Sequence, residues 1–152
     1  MKKLTLGLLI GIIGLILLIA GCSSNSKKEG APTVILYKSE MCGCCGLYGQ
    51  YLEQNEYNVE IKDMPDISPI KDQYSIPSTL RSCHTLIVDG YYVEGHIPKE
   101  AINKLLSEKP SIAGIAMPGM PSGSPGMPGA KKEPFVIYAV AKDGNISEFM
   151  RI

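Results

Sequence analysis

The sequence predicts an α/β fold in which a parallel β-α-β crossover is followed by an antiparallel hairpin and a helix. Three observations carry that prediction. A short β-rich run, "TVILYK" (Thr33–Lys38), leads into a segment where Tyr48, Tyr51, Leu52 and Asn55 recur at helical spacing. The stretch "TLIVDGYYVEGH" holds two β-rich runs joined by Asp89-Gly90, the composition of a tight hairpin turn. In "IPKEAINKLLSEKP", Pro98 stands at a helix's first turn and Pro110 beyond its end.

Each element follows from its local pattern. Thr33–Lys38 is almost continuously apolar, as a buried strand is. The helix after it runs from about Cys44 to Asn55. Gly46 and Gly49 weaken it by roughly 1 kcal/mol each relative to alanine, and leave room for a close approach to its backbone. "YNVEIKDM" alternates apolar and polar residues, the signature of a half-buried strand. Asp66 can cap a short helix over residues 67–74, and "IPSTLRSCH" is a loop. The helix between Pro98 and Pro110 buries Ile102, Leu105 and Leu106. The order β-α-β-α-β-β-α is a thioredoxin-like arrangement. Beyond it, "AMPGMPSGSPGMPGAKKE" is a low-complexity loop rich in Met, Pro and Gly, with "PGMP" at Pro118–Pro121 and Pro125–Pro128. "PFVIYAVAKDGNISEFMRI" adds a C-terminal hairpin that turns at Asp143-Gly144.

The chain of 152 residues has room for one such domain, residues 33–152, because its start is a targeting segment. Lys2 and Lys3 precede an apolar run from Leu4 to Ala20. The run ends Ala20-Gly21-Cys22, which resembles a bacterial lipobox. That pattern makes residues 1–21 a cleaved signal peptide, Cys22 the site of lipidation and residues 22–32 a flexible polar tether. An uncleaved transmembrane anchor is the alternative. Either arrangement puts the domain outside the cytoplasm, since Lys2 and Lys3 stay inside. Loss of those two lysines leaves 13 basic against 15 acidic residues, a net charge of −2. No basic field remains for nucleic acid.

Four cysteines then remain for chemistry. Cys42, Cys44 and Cys45 crowd into four positions where a strand gives way to a helix. Unpaired N–H groups and peptide dipoles at a helix N-terminus favour thiolate, which is both nucleophile and metal ligand. Cys42 and Cys45 have the spacing of a disulfide-exchanging pair, but that chemistry has no use for Cys44. Cys83 and His84 lie directly before the third strand, a position that faces the start of the first helix and brings them towards the three cysteines. His96 follows the partner strand and can ligate or simply make a local hydrogen bond. Met117, Met120 and Met127 are soft thioethers in a polar loop, where methionine has no core to fill; they are either ligands or linker filler. Zinc takes four ligands in a tetrahedron. Five N/S donors with thioethers nearby exceed that number and suit sulfur-bridged Cu(I), with a single zinc as the alternative.

"YKSEMCGCCGLY", "SCHTLIVDGYYVEGHIP" and "GIAMPGMPSGSPGM" together resemble the CopG-like copper-resistance proteins, a family long filed as a domain of unknown function. The resemblance runs from about Val34 to Met127. It implies a thioredoxin-like fold, an extracytoplasmic location and a cysteine-bridged copper cluster with redox activity on copper. Cys42, Cys44, Cys45 and Cys83 match the cluster thiolates, while His84, His96 and the loop methionines match recurring positions. Ordinary thioredoxins have proline where Cys44 stands and a cis-proline where Ser82-Cys83-His84 stands. Both departures weaken substrate disulfide exchange. Leu47-Tyr48 lies where the family commonly has a tryptophan nearby, a change of packing. The expectation is therefore a membrane-tethered protein that holds more than one Cu(I) and exchanges it with a copper-exporting or copper-carrying partner. The rival is a thiol–disulfide oxidoreductase that uses Cys42 and Cys45.

Overall fold

The computed structural model describes residues 27–152; the apolar leader and Cys22 lie outside them. Strand β1 (Thr33–Ser39) enters helix α1 (Gly43–Gln54), and β2 (Asn58–Met64) returns parallel to β1, with Thr33 opposite Asn58 and Ser39 opposite Met64. Helix α2 (Ser68–Gln73) and a 3-10 turn (Ser78–Leu80) lead to the hairpin β3 (His84–Val88) and β4 (Tyr91–Glu94). Asp89 and Gly90 both have positive φ, 46° and 83°, as the tight hairpin turn requires. Helix α3 (Lys99–Glu108), β5 (Ile112–Ala116), β6 (Val136–Ala141) and β7 (Ile146–Arg151) complete the chain. The sheet order is β2-β1-β3-β4-β5-β6-β7. The topology is thioredoxin-like, extended on the β4 side by three strands. No helix among the described residues is long and apolar enough to cross a membrane.

The expected elements are present, with one addition. Ile112–Ala116 carries no strand signal of its own, yet β5 forms there, parallel to β4 and antiparallel to β6. It is five residues long and bears Gly114 at its middle. A strand paired on both sides and covered on both faces needs no alternation, so period-two patterning is absent. β5 is what welds the C-terminal hairpin into the same sheet.

The main core joins β1 (Val34, Leu36), α1 (Tyr48, Leu52), β3 (Leu86, Val88) and α3 (Ile102, Leu105). Leu106, expected in the buried face of α3, is only partly buried; Ala101 takes the interior position instead. A second cluster, with Ile76, Leu80, Tyr92 and Val140, packs the part of the chain around α2 separately. Of the two helical glycines, Gly49 does allow a close approach: a Cβ there would meet Ile61 at 3.3 Å and Leu36 at 3.4 Å. Gly46 does not, because it faces open space. Asp66 accepts the Ser68 N–H at 2.9 Å, just ahead of α2.

The segment expected as a free tether is docked from Lys27 onward. Asn58 accepts the Lys28 N–H at 2.8 Å and donates to the carbonyls of Lys28 and Ala31. These contacts lie at the start of β1 and β2. The cysteines lie at the other end of β1.

Candidate metal centre

β1 ends at Ser39 and delivers Cys42 to the N-cap of α1. No side chain caps this helix end and its first turn has no acidic residue. Its positive pole is therefore left to the sulfurs. Cys42 and Cys45, one helical turn apart, are joined in a disulfide, while Cys44 and Cys83 are free. Cys44 Sγ lies 3.5 Å from Cys42 Sγ. The segment ahead of β3 crosses in front of α1, so the Cys83 carbonyl oxygen lies 3.7 Å from Cys45 Sγ.

The two histidines approach Cys83 from behind. Its Sγ is 3.4 Å from His84 Nδ1 and 3.2 Å from His96 Nε2. Both imidazoles are buried, their ring centres 4.7 Å apart. Tyr48 covers them, with its ring centre 4.6 Å from that of His84 and 5.4 Å from that of His96. The Tyr48 hydroxyl donates to the Ile97 carbonyl at 2.9 Å, which fixes the ring as a wall of the site. Tyr48→Phe is expected to lower stability by about 1 kcal/mol in a urea melt, because that hydrogen bond is lost inside the core.

The polar environment puts the imidazoles in ligating form. His96 Nδ1 donates to the Pro125 carbonyl at 2.7 Å, which leaves the Nε2 lone pair facing Cys83. His84 Nε2 is buried without a partner. Burial, then the neighbouring His96 and Lys71, holds His84 well below the usual imidazole range. Burial also lowers His96. Burial, then the adjacent Cys44, pushes the Cys83 thiol up to about 11. Cys83 lies off the helix, and an arriving metal ion has to displace its proton.

Two overlapping donor sets result. Cys42, Cys44, Cys45 and Cys83 have their sulfurs within 4.8 Å of one another; so do the donor atoms of Cys45, Cys83, His84 and His96. Cys45 and Cys83 belong to both. The cluster is able to coordinate metal, and all six cysteine and histidine candidates converge on it.

The methionines behave differently from one another. Met117 is 1 % exposed and belongs to the main core, so the expectation that the loop methionines have no core to fill fails for it. Met120 is 41 % exposed, and Met127 is half-buried in a turn where its N–H donates to the Ser124 carbonyl. What attaches the Pro/Gly loop to the site is backbone: the Pro125 carbonyl on His96, and Gly126 against α1. Gly126 has φ +79°, and a Cβ there would meet Tyr48 N at 2.8 Å and Cys44 O at 3.0 Å. Sequence reasoning missed Pro125, Gly126 and the buried ion pair between Lys71 on α2 and Glu94 on β4. The inward-facing charge in "YYVEGH" was the available signal.

A thioredoxin-like domain with a cysteine–histidine cluster at the N-terminus of its first helix defines a metal-binding class within that fold. A family model described as "Protein of unknown function, DUF411" matches residues 80–127. A solved structure named "Copper resistance protein copG- Form 2" is 33% identical, with 80% of this chain and 98% of that chain covered and a TM-score of 0.75. A second, "Copper resistance protein copG- Form 1", is 34% identical over 79% of this chain and 96% of that one, with a TM-score of 0.73. No curated protein matches. The chain belongs to the CopG copper-resistance family.

Proposed function

We propose that this protein is an extracytoplasmic copper-binding protein that holds Cu(I) in a multi-thiolate cluster, for copper tolerance or relay to a copper-exporting or copper-carrying partner. The observation that carries the reading is the pair of donor sets sharing Cys45 and Cys83. A single tetrahedral zinc uses four donors and leaves two idle. Sulfurs common to two sets suit bridging between soft ions, and Cu(I) is the softest of the first-row candidates. The printed names of the two similar structures point the same way. Cys42, Cys44, Cys45 and Cys83 supply thiolates, and His84 and His96 complete the coordination through neutral nitrogens.

Cys22 is the proposed lipid attachment and residues 1–21 the proposed signal peptide. The docking of Lys27–Pro32 supports a defined orientation. Those residues sit at the start of β1 and the cysteines at its end, and seven residues of strand span roughly 20 Å. The cluster therefore faces away from the point where the tether leaves the domain.

The test is anaerobic titration of Cu(I) into the reduced full-length chain in detergent, against a competing chelator, with free thiols counted in parallel. More than one tightly held copper per chain is expected, with the thiols disappearing together. Cys44→Ser should remove copper from the outer, all-cysteine set and spare the inner set of Cys45, Cys83, His84 and His96. One weakly held copper, unaffected by that substitution, would sink the reading. Replacing Met120 and Met127 by leucine is expected to slow copper transfer to an acceptor chelator in stopped-flow measurements. Unchanged transfer returns those residues to the status of linker.

The Cys42–Cys45 disulfide favours a second reading, a thiol–disulfide oxidoreductase. A dithiol reductant would then supply two electrons and two protons and leave as a disulfide. Under that reading Cys44→Ser keeps full exchange activity. Under the first, reduction of the same disulfide is the step that readies the site for copper.

A further inference from the structure

We propose that the buried carboxylate of Glu94, tied to Lys71 and Thr85, is the device that positions Cys83 and His84 as ligands. The inference deepens the copper reading and rests on it for the metal's identity. Glu94 is fully buried, at the end of β4 and directly opposite Thr85 on β3. One carboxylate oxygen accepts the backbone N–H of Ser82 and the Lys71 ammonium. The other accepts the Thr85 hydroxyl at 2.7 Å. Lys71 also donates to Thr85 Oγ1 at 3.0 Å. Residues 82 and 85 are thus both fastened to a single carboxylate, and the two residues they bracket are Cys83 and His84.

The bracket does work that a proline does elsewhere in this fold. Hydrogen bonds to the Glu94 carboxylate hold the segment ahead of β3. The same β4 end continues through Gly95 to His96, and Gly95 N–H donates to the His84 carbonyl at 3.4 Å. Glu94 therefore sets the registry between the Cys83 segment and His96, whose facing atoms are 3.2 Å apart. Stability alone does not account for the pair. A buried ion pair replaced by apolar residues of similar volume is often neutral for stability, because desolvation offsets the attraction.

Thr85→Val and Thr85→Ser, with the Lys71→Met/Glu94→Leu double variant, test this. Valine keeps the shape of threonine and removes its hydroxyl; serine keeps the hydroxyl. The first readout needs no metal. With the Cys42–Cys45 disulfide closed, Cys44 and Cys83 are the free thiols among the described residues. Alkylation at each is followed by peptide mass spectrometry. The Val and double variants are expected to accelerate alkylation at Cys83 relative to Cys44, and Ser to match wild type. The second readout is Cu(I) affinity of the reduced protein, expected to fall roughly 10- to 100-fold in the Val and double variants, as for other groups that orient metal ligands, and to be kept by Ser. Equal alkylation ratios across folded wild type, Val and Ser overturn the proposal, and so does unchanged copper affinity. Faster Cys83 alkylation in a protein whose wild type takes up no copper upholds the positioning and overturns the copper reading, so the two failures are distinct. If the double variant fails to fold, the Val/Ser comparison decides.

Discussion

Cys83→Ser is expected to abolish tight copper binding while leaving the fold in place. Cys83 belongs to both donor sets, and its sulfur has an imidazole nitrogen on each side, at 3.4 and 3.2 Å. Serine is nearly isosteric, but its hydroxyl is a hard oxygen donor that stays protonated and does not compete for Cu(I). The outer set loses a thiolate and the inner set loses half its sulfur in one change. Cys44→Ser is the contrasting case, because Cys44 appears only in the outer set. The expected ranking is therefore graded: partial loss for Cys44→Ser and complete loss of chelator-resistant copper for Cys83→Ser. The melting temperature should move little, since the substitution costs about 1 kcal/mol. Chelator competition and a thermal melt on the same samples read both quantities. Full copper retention by a folded Cys83→Ser protein would mean that the remote thiol is not part of the site.

Gly114→Ala is expected to be strongly destabilising. Gly114 lies opposite Tyr92 across the parallel β4–β5 pair. A Cβ there would overlap the Tyr92 carbonyl oxygen and come within 2.5 Å of ring atom Cγ. The Tyr92 ring has nowhere to retreat, being 1 % exposed within the second core cluster. Its backbone cannot retreat either, because β4 is hydrogen-bonded to strands on both sides. β5 must shift away from β4, and with it the C-terminal hairpin. The expected loss is about 3 kcal/mol or more, or roughly ten degrees in melting temperature. Gly46→Ala is the control, since its Cβ meets nothing and should stabilise α1 by roughly 0.5–1 kcal/mol. A Gly114→Ala protein that melts with wild type would show that β5 is not held against β4 as described.

The sequence by itself determined the elements whose signals are local. The Asp89-Gly90 turn, the proline-bounded α3 and the turn near Gly144 depend on neighbours within a few residues, and each forms where its residues predict. β2 forms where predicted too, but its burial does not alternate: Ile61, on its apolar register, is 42 % exposed. The placement of Cys42, Cys44 and Cys45 at a strand-to-helix junction was equally legible, because spacing along the chain is what defines it. The approach of Cys83 to them followed from the order of elements. Only the tertiary structure decided the rest. β5 carries no pattern because strands on either side supply its pairing and Tyr92 supplies the reason for its glycine. His96 joins the site because the Pro125 carbonyl, 29 residues away, selects which nitrogen faces Cys83. Met117 goes to the core and Met120 to solvent, although both sit in the same low-complexity run. Glu94 stands at an inward-facing strand position, but what it holds is seen only with Lys71, Ser82 and Thr85 around it. Long-range packing and buried hydrogen bonds leave no periodic trace in a sequence, so the donors could be enumerated from the chain, but their grouping into two sets sharing Cys45 and Cys83 required the fold.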